Sequence, residues 1–130
     1  MTTNRQLIVL ANKLGIKDFN VLVSPDEFKP LRNNQFRIVN IVTTQPIGHW
    51  CLASRIDDEY IYFDSFGCVP PDSVLEKCFN GNDYIGCDDE VQNGHSSECG
   101  VFALFVAYKL SLGEKYVDVL YELPYGNINH

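Results

Sequence analysis

Residues 91–110 read VQNGHSSECGVFALFVAYKL, and this stretch decides how the rest of the chain is organised. A polar loop containing Gly94 runs through Glu98, Cys99 and Gly100 into an apolar segment in which Lys109 is the one charge before Gly113. An apolar run of that length suits a buried helix better than a strand, with Gly113 as its stop. Ser96 or Ser97 is placed to cap the helix start, which puts Cys99 in the first turn. A thiol there lies at the positive end of the helix dipole, where the thiolate form is favoured. The plainer reading is that Cys99 is one more small buried hydrophobe. The surrounding residues have to decide between the two.

The chain has 130 residues, enough for one core, and the expectation is a single domain spanning 1–130 with 124–130 as a tail. Hydrophobic residues make up 45% of it, yet no apolar run approaches bilayer length and residues 1–10 lack signal-peptide organisation, so no membrane partner is expected. Five cysteines, Cys51, Cys68, Cys78, Cys87 and Cys99, form an odd set with no CxxC spacing. That points to free thiols in a reducing compartment and away from a structural zinc site, so neither cofactor nor metal is expected. A formal net charge of −7 opposes broad binding to nucleic acid or anionic membranes.

Outward from the central stretch, Thr3–Leu14 reads as an amphipathic helix with Leu7, Leu10 and Leu14 on one face and Gly15 at its end. Residues 16–34, with Ser24-Pro25-Asp26, Pro30 and Asn33-Asn34, read as a loop-rich crossing with at most a short strand. Phe36–Val42 is rich in β-branched residues and reads as a strand. His49–Ile56 and Tyr60–Phe66 flank Asp57-Asp58, which is turn chemistry, so a hairpin is expected. If the two aspartates form the loop, Ile56 faces Glu59, Cys51 faces Asp64 and His49 faces Phe66. Asp64 then lies diagonally from His49 on the same face, about 7–8 Å between backbones, which their side chains can bridge. A one-residue slip would put the pair on opposite faces. Further on come a short helix from Pro71-Asp72 to Phe79 with Val74, Leu75 and Cys78 inward, a strand over Tyr84–Cys87, a solvated Asp88-Asp89-Glu90 loop, and a last helix within Glu114–Leu123. The expected fold class is α+β, a central, mostly antiparallel sheet packed against the Cys99 helix.

A cysteine nucleophile needs a base, a group that orients the base, and donors for the developing oxyanion. Cys99, His49, Asp64 and Gln92 offer one candidate for each role, Gln92 as an amide donor beside the Cys99 backbone N–H. His95 is an alternative base, but it stands in a loop with no rigid element to aim it. A zinc site through His49, His95 and the cysteines is a weaker alternative.

In order along the chain, Gly48-His49-Trp50, Tyr62-Phe63-Asp64-Ser65-Phe66-Gly67, Val91-Gln92 and Ser97-Glu98-Cys99-Gly100-Val101-Phe102 resemble the adenovirus endopeptidase (adenain) family. That family shares its fold with the SUMO- and ubiquitin-like-protein-specific cysteine proteases. Leu7–Phe28 resembles the adenain N-terminal helix and the segment after it, so the resemblance covers nearly all of residues 3–110. It implies a papain-related fold, a His49–Asp64–Cys99 triad, Gln92 in the oxyanion hole, and Trp50 with Gly48 along a narrow substrate channel that admits glycine. The implied activity is a thiol endopeptidase cutting Gly-Gly or Gly-X sites in viral capsid or core precursors. The implied setting is the virus factory in host cytoplasm or nucleus, and the virion.

Three departures stand out. The acid is Asp64, as in the SUMO-protease branch, where adenain has Glu. The chain stops soon after the Cys99 helix, so the family's C-terminal helical region is largely missing. Adenain is basic and is stimulated by DNA and a disulfide-linked peptide; at −7, and with only Cys87 as a weak match for the linkage, this chain is expected to use neither activator and to act as a monomer. A deconjugating protease for ubiquitin-like proteins, whose tails also end in Gly-Gly, is the alternative activity. A non-catalytic binding module on the same fold is the alternative class.

Overall fold

The hairpin Asp57-Asp58 sets the register of the sheet in this computed structural model, which describes residues 2–41, 49–91 and 98–124. Both aspartates have positive φ, 51° and 67°, the conformation of a type I′ turn, whose twist matches that of the strands it joins. Asn33 holds the turn: its amide donates to Asp58 Oδ1 at 2.9 Å, and the Asp58 N–H donates back to Asn33 Oδ1 at 2.8 Å. The strands on either side are β3 (His49–Ile56) and β4 (Glu59–Phe63), with Ile56 opposite Glu59 and Leu52 opposite Phe63, the expected register. The second run is shorter than its composition suggests, because the chain leaves the ladder after Phe63 to turn at Asp64–Gly67.

Around this hairpin lie β1 (Phe19–Leu22), β2 (Gln35–Ile41) and β5 (Tyr84–Ile85), giving a five-stranded sheet in the order β1-β2-β3-β4-β5. The β2–β3 and β3–β4 ladders are antiparallel, while β1–β2 and β4–β5 are parallel. The sheet is therefore mixed: its three central strands are antiparallel, as expected, and a short parallel strand joins each edge by a crossover, a direction that a four- or two-residue strand carries too little pattern to announce. The class is α+β.

The helices are α1 (Asn4–Leu14), α2 (Asp72–Lys77), α3 (Cys99–Ser111) and α4 (Tyr116–Tyr121). Thr3 caps α1 in a reciprocal arrangement with Gln6, and Gly15 ends it in the left-handed region at φ 75°. Leu7 and Ala11 are the residues this helix buries, whereas Leu10 and Leu14 are 40% and 41% exposed. The expected stripe is thus rotated: Leu7 and Ala11, one turn apart, face the core, and Leu10 and Leu14 flank it. Glu98 precedes α3 and makes no side-chain capping bond; Ser96 and Ser97 lie outside the described residues. The helix is apolar around much of its circumference because it sits between the sheet, α1 and α4.

Side-chain alternation separates two cores. Phe36, Ile38, Trp50, Leu52, Ile61 and Phe63 face α1, α3 and α4, while Val39, Cys51, Ala53, Tyr60 and Tyr62 face α2 and the Leu22–Leu31 crossing. The central strand β3 is buried on both faces from His49 to Ser54, which explains its near-continuous apolar run. Among the described residues no helix is long and apolar enough to cross a membrane.

Candidate active site

Three chain ends converge at one rim of the sheet. His49 opens β3, Asp64 follows the last residue of β4, and Cys99 opens α3. His49, Asp64 and Cys99 are each 4% exposed or less.

His49 Nε2 lies 2.5 Å from Asp64 Oδ1, and since a carboxylate only accepts, Nε2 is the nitrogen that donates. The same carboxylate oxygen accepts the Phe66 N–H at 2.8 Å, and the Gly67 N–H donates to the Asp64 carbonyl at 2.9 Å, so a tight turn aims Asp64 back at the ring. Gly67 makes this turn possible. Its φ is +74°, and a Cβ there would stand 2.8 Å from the Asp88 carbonyl oxygen. The Phe66 ring stacks on the imidazole with centroids 4.2 Å apart and planes 7° apart. Hydrogen bond and stack together fix the imidazole in position and tilt. Nδ1 has no hydrogen-bond partner among the described residues, which leaves it as the nitrogen available to a thiol.

The thiol comes from the other face of the sheet. Cys99 Sγ accepts the Trp50 backbone N–H at 3.4 Å. Thus one step of β3 supplies both groups: the His49 side chain points to one side, and the next backbone amide points at sulfur. Trp50 itself is 8% exposed, its Nε1 donating to the Thr2 carbonyl at 3.1 Å. Its Cδ1 would meet a Cβ on residue 100 at 3.0 Å, so Gly100 lets the indole close on the start of α3.

The electrostatics single out one thiol. Burial works against ionisation of Cys99, but the neighbouring His49 ring, the Trp50 N–H, the charge of His49 and the Gly100 N–H together draw its pKa below the ordinary thiol value. Burial instead pushes Cys51 and Cys78 up to about 11 and raises Cys68 and Cys87. For His49, burial opposes the charged form, but the bond to Asp64 and the neighbouring Cys51 and Cys99 thiols outweigh it and raise its pKa well above the usual histidine range. A raised imidazole beside a lowered thiol favours an imidazolium–thiolate pair.

His49 and Asp64 are therefore in contact, and Cys99 lies against the Trp50 amide next to them. Gln92, Gly48 and His95 lie outside the described residues. Sequence reasoning missed the roles of Phe66 as a platform for the imidazole and of Cys51 as its neighbour. Both were within reach, because the predicted register already set Phe66 opposite His49 and Cys51 opposite Asp64. Comparison of the chain with protein-family models and with curated proteins finds no match.

Proposed function

We propose that the chain is a cysteine endopeptidase in which Cys99 is the nucleophile, His49 the acid–base group and Asp64 the residue that orients and charges the imidazole. The observation that carries this reading is that, of five cysteines, the one thiol whose pKa is lowered is the one at a helix start facing a His–Asp pair. The Cys99 thiolate attacks the scissile carbonyl carbon, and the carbonyl electrons pass to oxygen. His49 gives its proton to the leaving amine as the tetrahedral intermediate collapses to a thioester. A water then loses a proton to His49 as it attacks the thioester, and Cys99 leaves as thiolate. The Cys99 backbone N–H and the Gln92 amide are the proposed oxyanion donors.

The resemblance of the ordered motifs to the adenain family extends the proposal to substrate. Gly-Gly or Gly-X sites in viral capsid or core precursors would be cut in the virus factory or the virion, with Trp50 and Gly48 bordering the channel. Wild-type chain incubated with a Gly-Gly-containing structural precursor is expected to yield fragments beginning just after the small residues. Cys99→Ala, with its fold intact by circular dichroism, is expected to yield none. Cleavage by the Cys99→Ala chain rejects the reading. Deconjugation of a ubiquitin-like protein is the competing activity, and preferential reaction with a ubiquitin- or SUMO-aldehyde over a capsid peptide would favour it.

A further inference from the structure

We propose that His49, Cys51 and Asp64 form a binding site for a thiophilic divalent cation, Zn²⁺ being the natural ion and Cd²⁺ a probe for it. His49 and Cys51 are two apart on β3 and so share a face of the sheet, and Asp64 is the next position beyond β4 on the neighbouring strand's path. One nitrogen, one sulfur and one oxygen from these residues lie within 4.8 Å of one another, all buried. Mixed N, S and O donors are the set that zinc-like ions prefer. Bonds of about 2.0–2.3 Å from a tetrahedral ion hold its ligand atoms roughly 3.3–3.8 Å apart, so small side-chain shifts suffice.

Charge also balances. A Cys51 thiolate and the Asp64 carboxylate offset the two positive charges of the ion, and a buried site with no net charge avoids the desolvation cost that a lone ion would carry. On binding, the S–H of Cys51 and the Nε2–H of protonated His49 are replaced by metal–sulfur and metal–nitrogen bonds, and both protons go to solvent. The hydrogen bond from His49 to Asp64 is exchanged for coordination of both. Cys99 is not a ligand. Binding stands apart from the protease reading; its consequence, loss of the acid–base group and hence reversible inhibition, rests on it.

The reduced Cys99→Ala chain is titrated with Cd²⁺ while the ultraviolet cadmium–thiolate charge-transfer band is followed. One ion with one thiolate is expected, with affinity falling by at least about 100-fold in the added Cys51→Ser or Asp64→Asn variant and unchanged in Cys78→Ser. An unchanged band and affinity after Cys51→Ser overturns the site, as does a band lost on Cys68→Ser alone. Should Cys51→Ser fail to fold, His49→Gln, which keeps the thiol, reads the same site: weakened binding supports it and unweakened binding overturns it. Because Cys99 is absent throughout, failure here leaves the nucleophile assignment untouched.

Discussion

Replacing Asp64 by asparagine removes the charge behind the imidazole while keeping nearly the same shape. Asp64 Oδ1 accepts both from His49 Nε2 at 2.5 Å and from the Phe66 N–H at 2.8 Å, so an amide oxygen in its place can still accept both but brings no negative charge. A hydrogen bond to a charged partner contributes about 1.5–3 kcal/mol, and one pKa unit corresponds to about 1.4 kcal/mol. Asp64→Asn is therefore expected to lower His49 by about one to two units. Cys99, whose lowered pKa depends on the neighbouring His49 and its charge, should rise in step. The assay is alkylation of Cys99 by iodoacetamide across pH, followed by peptide mass spectrometry. In the wild type the rate should hold up well below the inflection of a free thiol near 8.5. In Asp64→Asn the inflection should move up by about one unit, with a roughly tenfold slower rate in the neutral range. Free glutathione in the same reaction supplies the standard, its profile being the same with both proteins; Cys68, which burial and then the Asp64 charge raise, should instead move down in Asp64→Asn. Superimposable Cys99 profiles would refute the claim that Asp64 acts through His49 on the thiol.

Gly67→Ala forces a left-handed residue with a side chain against the Asp88 carbonyl; it should cost roughly 2–4 kcal/mol in urea unfolding and slow Cys99 alkylation by loosening the Asp64 turn. Thr3→Ala removes the α1 capping box, with an expected loss of about 1 kcal/mol by the same unfolding measurement. Because the folded state raises His49, the stability it contributes is full below its unfolded pKa near 6.5 and is lost as pH climbs toward the folded value. Urea unfolding of Cys99→Ala at pH 6 and pH 9 should therefore show a fall in stability that Asp64→Asn diminishes; an equal fall in both proteins would count against the His49–Asp64 pair as its source.

The parts of the fold that could be read from sequence are those with strong local rules. Gly15 ends α1 as capping chemistry requires, and the Asp57-Asp58 turn dictates a hairpin register that brings Asp64 near His49, where the Asp64–Gly67 turn completes the contact. What escaped reading depended on contacts remote in sequence. The direction of β1 is set by its pairing of Phe19 with Phe36, and that of β5 by its pairing of Tyr84 with Tyr60. Leu10 and Leu14 are exposed because α3 and the sheet receive only the Leu7–Ala11 edge of α1. The Trp50 amide that reaches Cys99 has no sequence signal of its own, since any residue after His49 carries an N–H. The thiol, imidazole and carboxylate were nameable individually; that they meet follows from β3 threading between two cores, with α3 starting at its rim.

The proposed function requires Cys99 to be the activated nucleophile of a site that accepts glycine. An electrophilic probe, a peptide ending in Gly-Gly-vinyl sulfone, tests this with intact-mass and fragment mass spectrometry. One adduct per chain, on Cys99, absent in His49→Ala, is the predicted result. Labelling of the exposed Cys68 in preference to Cys99, or equal labelling of Cys99 with and without His49, would contradict it.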